Sequence, residues 1–372
     1  MSRQRLALLI VVALVAIAAA FYVSMQRNAP HETPGLALLP ALTDDLNAVT
    51  AVTVRKGSAT PTVTLHKAGQ QWAVAERADY PADVSKLRLL LVSLRDAKIV
   101  EEKTADPARF PQIGVEDPGA AGAAGAEVAV ATAGGKSAVI VGKTVGSGNF
   151  VRRQGENRSY SVEPSITLET EPKFWIDARL IDVPAALIQS IEFKPAAGSS
   201  FALHRLNPAD NTFSLEGVPA GRKAKDGHAL APSPSLLTGL NAEDVAASST
   251  VDFTSRSQVI VMLTDGRVLT LVGTTVADKH WIQVTSNKDA DLTAKTQGRA
   301  FEIASYRYDE IFKPLEQLLE SPPQKTPPAS PKAESKVAPK VVPKDAPKAK
   351  PRPTGAATAP DAQDEPAPAA TP

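Results

Sequence analysis

The chain contains no cysteine among its 372 residues. This absence excludes disulfide bonds, thiol catalysis and metal sites with cysteine ligands. It does not identify the compartment, because a body of this size can bury enough surface to fold without disulfides. The formal net charge is only +1, so no excess of positive charge indicates nucleic-acid binding.

One long apolar run dominates the N-terminal region. Eighteen consecutive apolar residues extend from Leu6 to Val23, and Arg3 and Arg5 precede them. As a helix, the run would cover about 27 Å, which is close to the hydrocarbon thickness of a bilayer. Positive charge stays on the cytoplasmic side of such a span. We therefore expect a single-pass anchor in the inner (cytoplasmic) membrane, with the N-terminus in the cytoplasm and the body in the periplasm or extracytoplasmic space.

A cleaved signal peptide is the alternative to an anchor. Ala18, Ala19 and Ala20 form a small-residue site of the kind that signal peptidases cut. The apolar run is longer than a usual signal core and continues beyond this site through Phe21 and Tyr22. These features favour an uncleaved anchor, and both alternatives stay open.

The composition divides the chain into six segments. They are a cytoplasmic stub at 1–5, a transmembrane helix at 6–24, a linker at 25–45, a first α+β repeat at 46–183, a second at 184–320, and a disordered tail at 321–372. The tail contains fourteen prolines and no aromatic residue. Proline fixes φ and removes hydrogen-bond donors, so we expect a solvated, semi-extended segment.

The tail also carries a regular series of lysines. They recur every four residues at Lys332, Lys336, Lys340, Lys344 and Lys348. Cations spaced along an extended chain suit an anionic envelope polymer or lipid headgroups. The simpler interpretation is that the lysines keep a long spacer soluble and extended.

The body contains a weak internal repeat. Residues 134–153, GGKSAVIVGKTVGSGNFVRR, align without a gap with residues 265–284, DGRVLTLVGTTVADKHWIQV. Five of the twenty columns are identical, including Gly142 with Gly273. Strands rich in glycine and valine reach such identity by chance, so the order of elements carries more weight.

That order also repeats. Alternation of apolar and polar residues predicts three short strands in each half. The apolar positions are Val52, Val54, Val63, Leu65, Trp72 and Val74 in the first half, and Ile191, Phe193, Phe201, Leu203, Phe213 and Leu215 in the second. In the first half a leucine-rich helix capped by Asp83 or Ser85 follows, and then the hairpin of the repeat.

The second half carries matching helix signals. Ser233 with Pro234 is a favourable helix start, and Leu236, Leu237 and Leu240 supply an apolar stripe. Apolar residues from 311 to 319 predict a terminal helix that Pro314 either begins or kinks. The fold class expected is α+β, with two tandem repeats of mainly antiparallel β-sheet and packed helices.

Several stretches together resemble the bacterial family called domain of unknown function 4340. They are LLPALTDDLNAVTAVTVRK at 38–56, Trp72 with Val74, the leucine-rich helix, Asp106-Pro107, GVEDP at 114–118, the IVGK and NFVRR hairpin, and FWIDAR at 174–179. The similarity covers roughly residues 36–320 and is weaker in the second half, which has no GVEDP counterpart. The resemblance implies a membrane-anchored extracytoplasmic protein, often linked to ABC transporters of the gliding-motility type. It implies no catalytic residue, since none is established for the family.

Local motifs for phosphate and calcium binding are incomplete. Gly135-Lys136-Ser137 and Gly142-Lys143-Thr144 resemble the end of a phosphate-binding loop, but the required upstream glycine is replaced by Val130 and Ser137. Asn287, Asp289 and Asp291 have the spacing that opens a calcium loop, yet Leu292 and Gly298 occupy the glycine and glutamate positions. We expect turns and a solvated polar loop.

The remaining candidates are the histidines, the adjacent acids and the aromatic residues of the strands. The five histidines are scattered, and no pair has metal-ligand spacing. Adjacent acids such as Glu101 and Glu102 face opposite sides of a strand, so they do not form a proton-sharing pair. Phe150 and Trp281 are expected to pack in the core rather than to stack on a sugar. The sequence therefore indicates no catalytic, cofactor-binding or metal-binding residue, and no cofactor.

The function expected is non-catalytic binding or scaffolding in the cell envelope, with ABC transporter subunits as candidate partners. The membrane would be contacted through residues 6–24. One alternative is a hydrolase or carbohydrate-active enzyme with a site between the repeats. It would need a convergent cluster of acids, or a His-acid pair, in a cleft. Another is a spacer that contacts the cell wall through its basic, proline-rich tail.

Overall fold

The computed structural model describes residues 34–42, 46–120, 122–207, 209 and 211–321. The predicted stub at 1–5, the transmembrane helix at 6–24, linker residues 25–33 and 43–45, and the tail from residue 322 onward lie outside this part of the chain. Within the part described, no helix is both long and apolar enough to cross a membrane. All of it belongs to one compact unit.

The first half forms a nine-stranded antiparallel sheet. Its strands are β1 (Val49–Arg55), β2 (Val63–Ala68), β3 (Gln71–Val74), β4 (Tyr80–Pro81), β5 (Lys98–Glu102), β6 (Ala126–Thr132), β7 (Gly135–Val145), β8 (Gly148–Arg153) and β9 (Ser159–Glu163). Their order in space is β4-β3-β2-β1-β6-β7-β8-β9-β5. The alternating residues of β1 explain its place, because Val52 and Val54 are fully buried while their neighbours are partly exposed.

The second half forms an eight-stranded antiparallel sheet and a small two-stranded one. The strands are β10 (Arg179–Ile181), β11 (Ile188–Lys194), β12 (Phe201–Arg205), β13 (Phe213–Glu216), β14 (Leu240–Asn241), β15 (Asp244–Ala247), β16 (Ser257–Leu263), β17 (Val268–Val276), β18 (Lys279–Ser286) and β19 (Arg299–Ile303). The larger sheet has the order β13-β12-β11-β16-β17-β18-β19-β15, and β10 pairs with β14. The expected α+β class with mainly antiparallel sheets is confirmed.

The helices are few and short. The α-helices are α1 (Val84–Asp96), α2 (Phe110–Ile113), α3 (Ala290–Thr296) and α4 (Ser305–Ile311), and the 3-10 helices are Pro40–Leu42, Leu46–Ala48, Ala75–Arg77, Pro107–Arg109, Pro172–Trp175, Ala185–Leu187, Ser248–Thr250 and Leu315–Leu318. The predicted leucine-rich helix is confirmed as α1. Asp83 caps it by accepting hydrogen bonds from the backbone amides of Ser85 and Lys86. Its four inward leucines, at 87, 90, 91 and 94, are buried.

The two large sheets share a sequence of strand neighbours. Without its edge strand β4, the first sheet has the order β3-β2-β1-β6-β7-β8-β9-β5. The second sheet has the order β13-β12-β11-β16-β17-β18-β19-β15, so each strand of the first sheet takes the same place as the strand numbered ten higher. The register of the central pairs is also alike. β1 shifts its pairing with β6 between Val49 and Ala51, and β11 shifts its pairing with β16 between Ile188 and Ser190.

Near the turn the β7–β8 and β17–β18 hairpins pair as the ungapped sequence alignment matches them, Thr144 with Asn149 and Thr275 with His280, but further along the strands the register differs by one residue. Val141 lies opposite Val151, and the residue in the matching place of the second sheet is Gly273, opposite Ile282. The alignment had matched Val141 with Val272. The shift arises because the β7–β8 pairing is irregular between Val141 and Thr144, whereas β17 pairs with β18 without interruption. A slip of one residue moves a side chain to the other face of a sheet.

The helix predicted at Ser233 and Pro234 is wrong. Residues 233–239 form turns, and β14 begins at Leu240. Contacts from an earlier segment hold this backbone in place: the Thr238 hydroxyl donates to the Val183 carbonyl at 3.0 Å, and the Gly239 amide donates to Asp182 Oδ1 at 3.1 Å. These tertiary bonds and the β10–β14 pairing replace the local helical bonds that the leucine spacing favoured.

The predicted terminal helix is divided in two. α4 ends at Ile311, and a separate 3-10 turn covers Leu315–Leu318. Pro314 lies between them with an extended ψ of 148°. Proline has no amide hydrogen to donate to the preceding turn, which ends the helix at this point.

Candidate functional site

A cleft of about 550 Å³ is lined by the 3-10 turn that follows β3, by the segment that connects the two halves, and by the β15, β18 and β19 region of the second sheet. Seven of its eight lining residues are ionisable. They are Arg77, Glu171, Lys173, Glu243, Asp244, Lys279 and Glu302, and Phe174 completes the lining. This is the place between the halves where the enzyme hypothesis requires a cluster of acids.

Each half of the chain brings its charges to the cleft on regular elements. Arg77 ends the 3-10 turn that follows β3, and Asp244 is the first residue of β15. Glu302 lies on β19, next to Lys279 at the start of β18. Phe174 belongs to the connecting 3-10 turn and is 40% exposed, and Lys173 Nζ lies 5.1 Å from the centre of its ring.

Most of these charges are paired. Arg77 binds Asp244 through Nε, and its Nη2 donates to Oδ2 of the same carboxylate at 3.2 Å. Lys279 Nζ lies 2.6 Å from Glu302 Oε2, and this hydrogen bond raises the pKa of Lys279. Lys173 Nζ lies 3.3 Å from Glu171 Oε2.

Glu243 is the remaining carboxylate of the cleft. Within the part of the chain that the structure describes, its side chain has no ion-pair partner. Its backbone amide donates to the Glu302 carbonyl at 2.7 Å, which fixes the residue beside the paired charges. Glu243 is therefore the acid of this cleft that is available to bind a cation or transfer a proton.

A second set of contacts beside the cleft joins the sheets directly. The buried ring of Tyr80 on β4 meets Phe301 on β19 edge to face, with 5.5 Å between ring centroids. Lys295 Nζ and the Arg299 guanidinium lie 5.5 and 5.7 Å from the centre of the Tyr80 ring. Cations over an aromatic face are attracted by its quadrupole. The Tyr80 ring therefore packs against β19, which carries Phe301 and Arg299, and against Lys295 of α3.

The charges that line the cleft are largely engaged with one another. A catalytic carboxylate pair works through acids whose environments move their pKa values apart. Here three carboxylates instead accept from neighbouring cations, and one of those pairs, Arg77 with Asp244, links the sheets. Among the described residues, no group of three His, Asp or Glu side chains has the geometry to hold a metal ion.

The suggested calcium loop is the start of a helix. The Asp289 side chain accepts from the Leu292 amide at 2.9 Å and caps α3. The Asn287 side-chain oxygen accepts from the Val268 amide at 2.8 Å. These oxygens therefore serve the backbone, which explains their regular spacing.

The two lysine-containing glycine motifs lie on β7, as expected from their hairpin context. Lys143 Nζ donates to the Gln112 carbonyl at 2.8 Å, so its ammonium is used within the protein. A side chain at Gly142 would collide with the Ile113 and Gly114 carbonyls. The glycine is required by the close packing of the α2 segment over β7 rather than by a phosphate.

Three of the histidines make local contacts. His66 lies 3.5 Å from Asp79 and His204 lies 3.1 Å from Glu216, and both histidines are partly exposed on their strands. The His280 ring stacks on Tyr308 with centroids 4.6 Å apart. None of these contacts brings two histidines together. Phe150 and Trp281 are half-buried in their sheets.

The cleft itself was not predicted from the sequence. Its lining residues extend from Arg77 to Glu302, and each is an ordinary charged residue in its local context. Only the meeting of the β3–β4 region with β15 and β19 brings them together. The available sequence signal was a charged residue at the start of a strand, as at Asp244 and Lys279. This signal does not indicate which charged residues share a cleft.

Comparison with protein families gives one match. A family model described as Domain of unknown function (DUF4340) matches residues 72–258, half of the chain. The chain belongs to this family. The DUF4340 match includes Arg77, Glu171, Glu243 and Asp244 of the cleft, and it ends before Lys279 and Glu302. No curated protein and no solved structure matches the chain.

Proposed function

We propose that this protein is a membrane-anchored, extracytoplasmic binding or scaffold protein of the cell envelope. The observation that supports this function is the pairing of charges in the cleft between the sheets. Two ion pairs, Arg77 with Asp244 and Lys279 with Glu302, occupy charged groups that an enzyme would need to have free for a substrate. The first pair holds the two halves of the chain together, and the second braces β18 against β19 within one sheet, as a rigid scaffold requires.

The partners proposed are the subunits of an ABC transporter. The support for this assignment is the resemblance to the DUF4340 family. Affinity purification of the full chain from detergent-solubilised membranes tests it, with mass spectrometry of the recovered proteins. We expect transporter subunits to co-purify. Recovery of the protein alone, under conditions that keep a known transporter intact, would overturn the assignment.

The anchor is the part of the proposal that concerns residues 6–24. Eighteen apolar residues without a charge support an uncleaved single-pass helix. Extraction of membranes with alkaline carbonate tests it, because a spanning helix stays with the lipid. N-terminal sequencing of the membrane-bound protein then distinguishes an anchor from a cleaved signal. A mature N-terminus near Ala20 would show cleavage.

We also infer that the two large sheets are copies of one duplicated unit. The shared order of strand neighbours and the matching shifts at Val49–Ala51 and Ile188–Ser190 support this inference. Separate expression of the halves tests it. Two copies of a complete unit should each retain a β-rich circular dichroism spectrum, whereas interlocked parts of one domain should both unfold.

A hydrolase with its site in the cleft is the second candidate function. The observation in its favour is the position of Glu243, which has no ion-pair partner among the described residues and shares the cleft with the partly exposed Phe174. A screen of the full chain against fluorogenic glycosides and esters tests this candidate. Activity that Glu243→Gln abolishes and Glu192→Gln retains would support an enzyme. Absence of turnover across the screen would exclude the reactions tested.

A further inference from the structure

A groove outside the cleft combines positive charge with an apolar floor. It has a volume of about 450 Å³ and lies between α1, the β2–β3 hairpin and the 3-10 turn at Leu46–Ala48. Trp72, Leu87 and Leu91 contribute apolar surface. Three cations line it, namely Lys67, Arg88 and Arg95, and no acid is among its described lining residues.

Two of these cations lack an acidic partner in the described part of the chain. Lys67 Nζ donates to the Asn47 carbonyl at 2.8 Å and lies 5.6 Å from the centre of the Trp72 ring. Arg88 is exposed on α1, and its side chain makes neither a hydrogen bond nor an ion pair in the described part of the chain. Arg95 is paired with its neighbour Asp96 at 2.8 Å. The groove therefore has an excess of positive charge beside an indole and aliphatic side chains.

The outer surface of α1 also carries exposed apolar side chains. Val84 is 47% exposed and Leu89 is 70% exposed, although the helix carries Lys86, Arg88 and Arg95 as well. Basic residues interspersed with exposed apolar ones are typical of helices that lie on membrane surfaces.

The start of the described chain lies near this groove. Arg95 lines both the groove and a neighbouring cavity that includes Pro34 and Gly35. Pro34 follows the end of the apolar run, Val23, by eleven residues, which span at most about 40 Å when extended. In an anchored chain Pro34 therefore lies at most about 40 Å from the end of the apolar run, so the neighbouring groove is within reach of the bilayer.

We propose that this groove binds the headgroup of an anionic phospholipid from the anchoring membrane. The phosphate would be attracted to Lys67 and Arg88, and the glycerol and upper acyl region would contact Trp72 and the α1 side chains. Indole rings favour the boundary between headgroups and hydrocarbon. This inference rests on the proposed membrane anchor, and it adds a second contact that would orient the body against the bilayer.

The absence of native cysteine permits a direct test with the full chain. Val92 lines the groove, and Lys136 is exposed on β7. Single-cysteine variants Val92→Cys and Lys136→Cys are reconstituted in nanodiscs of phosphatidylcholine alone or with phosphatidylglycerol. The rate of alkylation by a neutral maleimide is then measured. We expect Val92→Cys to react about fivefold more slowly in the phosphatidylglycerol discs, and Lys136→Cys to react equally in both.

Charge variants in the Val92→Cys background identify the residues responsible. Arg88→Gln should remove most of the protection, and so should high salt, because screening weakens exposed charge interactions. Arg256→Gln is the matched control, since Arg256 is also an exposed arginine but lies outside the groove. The emission of Trp72, obtained as the difference from Trp72→Phe, provides an independent reading that requires no label.

Several results would overturn the inference. Equal alkylation in the two kinds of disc, or protection that survives Arg88→Gln, would exclude a headgroup site. Protection by inorganic phosphate in phosphatidylcholine discs would assign the groove to a free anion. Protection that requires native membrane proteins would assign it to an acidic protein partner. Failure of the chain to stay with the discs after carbonate treatment would instead contradict the anchor.

Discussion

Arg299 of β19 donates two hydrogen bonds to one carbonyl oxygen in the other half of the chain, that of Ala78. The distances are 3.1 Å from Nε and 2.9 Å from Nη2, and Nη2 also reaches the Asp79 carbonyl at 3.2 Å. Ala78 and Asp79 both have positive φ, 55° and 51°. The guanidinium therefore binds a turn whose unusual backbone directs its carbonyl groups towards the second sheet.

Arg299→Ala should destabilise the protein by about 2 kcal/mol. The substitution leaves the Ala78 and Asp79 carbonyls without their donor and removes a cation from the Tyr80 ring. Urea unfolding of the full chain in detergent measures the change. Arg256→Ala, at an exposed arginine, should stay within about 0.5 kcal/mol of the wild type. Equal effects of the two substitutions would contradict a role for Arg299 in holding the second sheet against the Ala78–Asp79 turn.

Tyr80→Phe should stabilise the fold by about 1 kcal/mol at neutral pH. The Tyr80 hydroxyl is buried and has no hydrogen-bond partner among the described residues. A buried polar group without a partner costs free energy that an apolar replacement of the same shape avoids. The ring contact with Phe301 is kept. A lower urea midpoint for Tyr80→Phe would indicate an ordered water or other partner at this hydroxyl.

Alkaline pH should weaken the wild type more than Tyr80→Phe. Burial raises the pKa of Tyr80 far above its ordinary value, since the phenolate would be desolvated between the sheets. The unfolded state therefore releases this proton first, and stability is lost as the pH rises above about 10, by about 1.4 kcal/mol for each further pH unit. Stability measured at pH 9, 10 and 11 checks this. Parallel curves for the two proteins would contradict it.

Ala78→Gly should stabilise the protein by about 1 kcal/mol. A residue with a Cβ pays a conformational cost in the left-handed region, and glycine does not. Ala277, at a φ of 48° in the β17–β18 hairpin, should respond in the same direction. Ala202→Gly is the control, because Ala202 lies inside β12, where glycine should be destabilising. Thermal unfolding of the three variants checks this: we expect melting temperatures above the wild type for glycine at Ala78 and Ala277, and below it for Ala202→Gly.

Gly148→Ala should cost about 3 kcal/mol or abolish folding. Gly148 begins β8, and a side chain there would overlap the Val162 carbonyl on β9. Gly134→Ala, at a turn where the nearest atom to an added Cβ is Thr132 Oγ1 at 3.7 Å, should be tolerated. Comparison of soluble yield and unfolding midpoint distinguishes the two sites. Equal tolerance would mean that β9 can move away from β8.

Much of the fold was predictable where the pattern is local. Alternation at Val52 and Val54 identified β1, and Asp83 with four leucines identified α1. The prediction failed where distant contacts decide. Ser233 and Pro234 carry a good helix signal, yet bonds from Asp182 and Val183 hold the following residues in turns. The register of β7 was not predictable either, because its pairing with β8 is irregular between Val141 and Thr144 and no local pattern in the sequence marks that shift.

The candidate site was less predictable than the fold. The local motifs at Gly142 and Asp289 were visible in the sequence, and the structure uses both residues for packing and capping. The charged cleft was not visible, because Arg77 and Asp244 meet only through the contact of two sheets. Sequence spacing contains no information on such a meeting.

By itself, the sequence determined the apolar run from Leu6 to Val23, the absence of thiol chemistry, the strand patterns and the capped helix, because each depends on neighbouring residues. The tertiary structure alone decided the register of β7, the turn after Ser233, the pairing of Arg77 with Asp244, and the groove of Lys67, Trp72 and Arg88. These features join residues far apart in the chain. Their formation depends on which surfaces bury one another, and a linear pattern does not specify that choice.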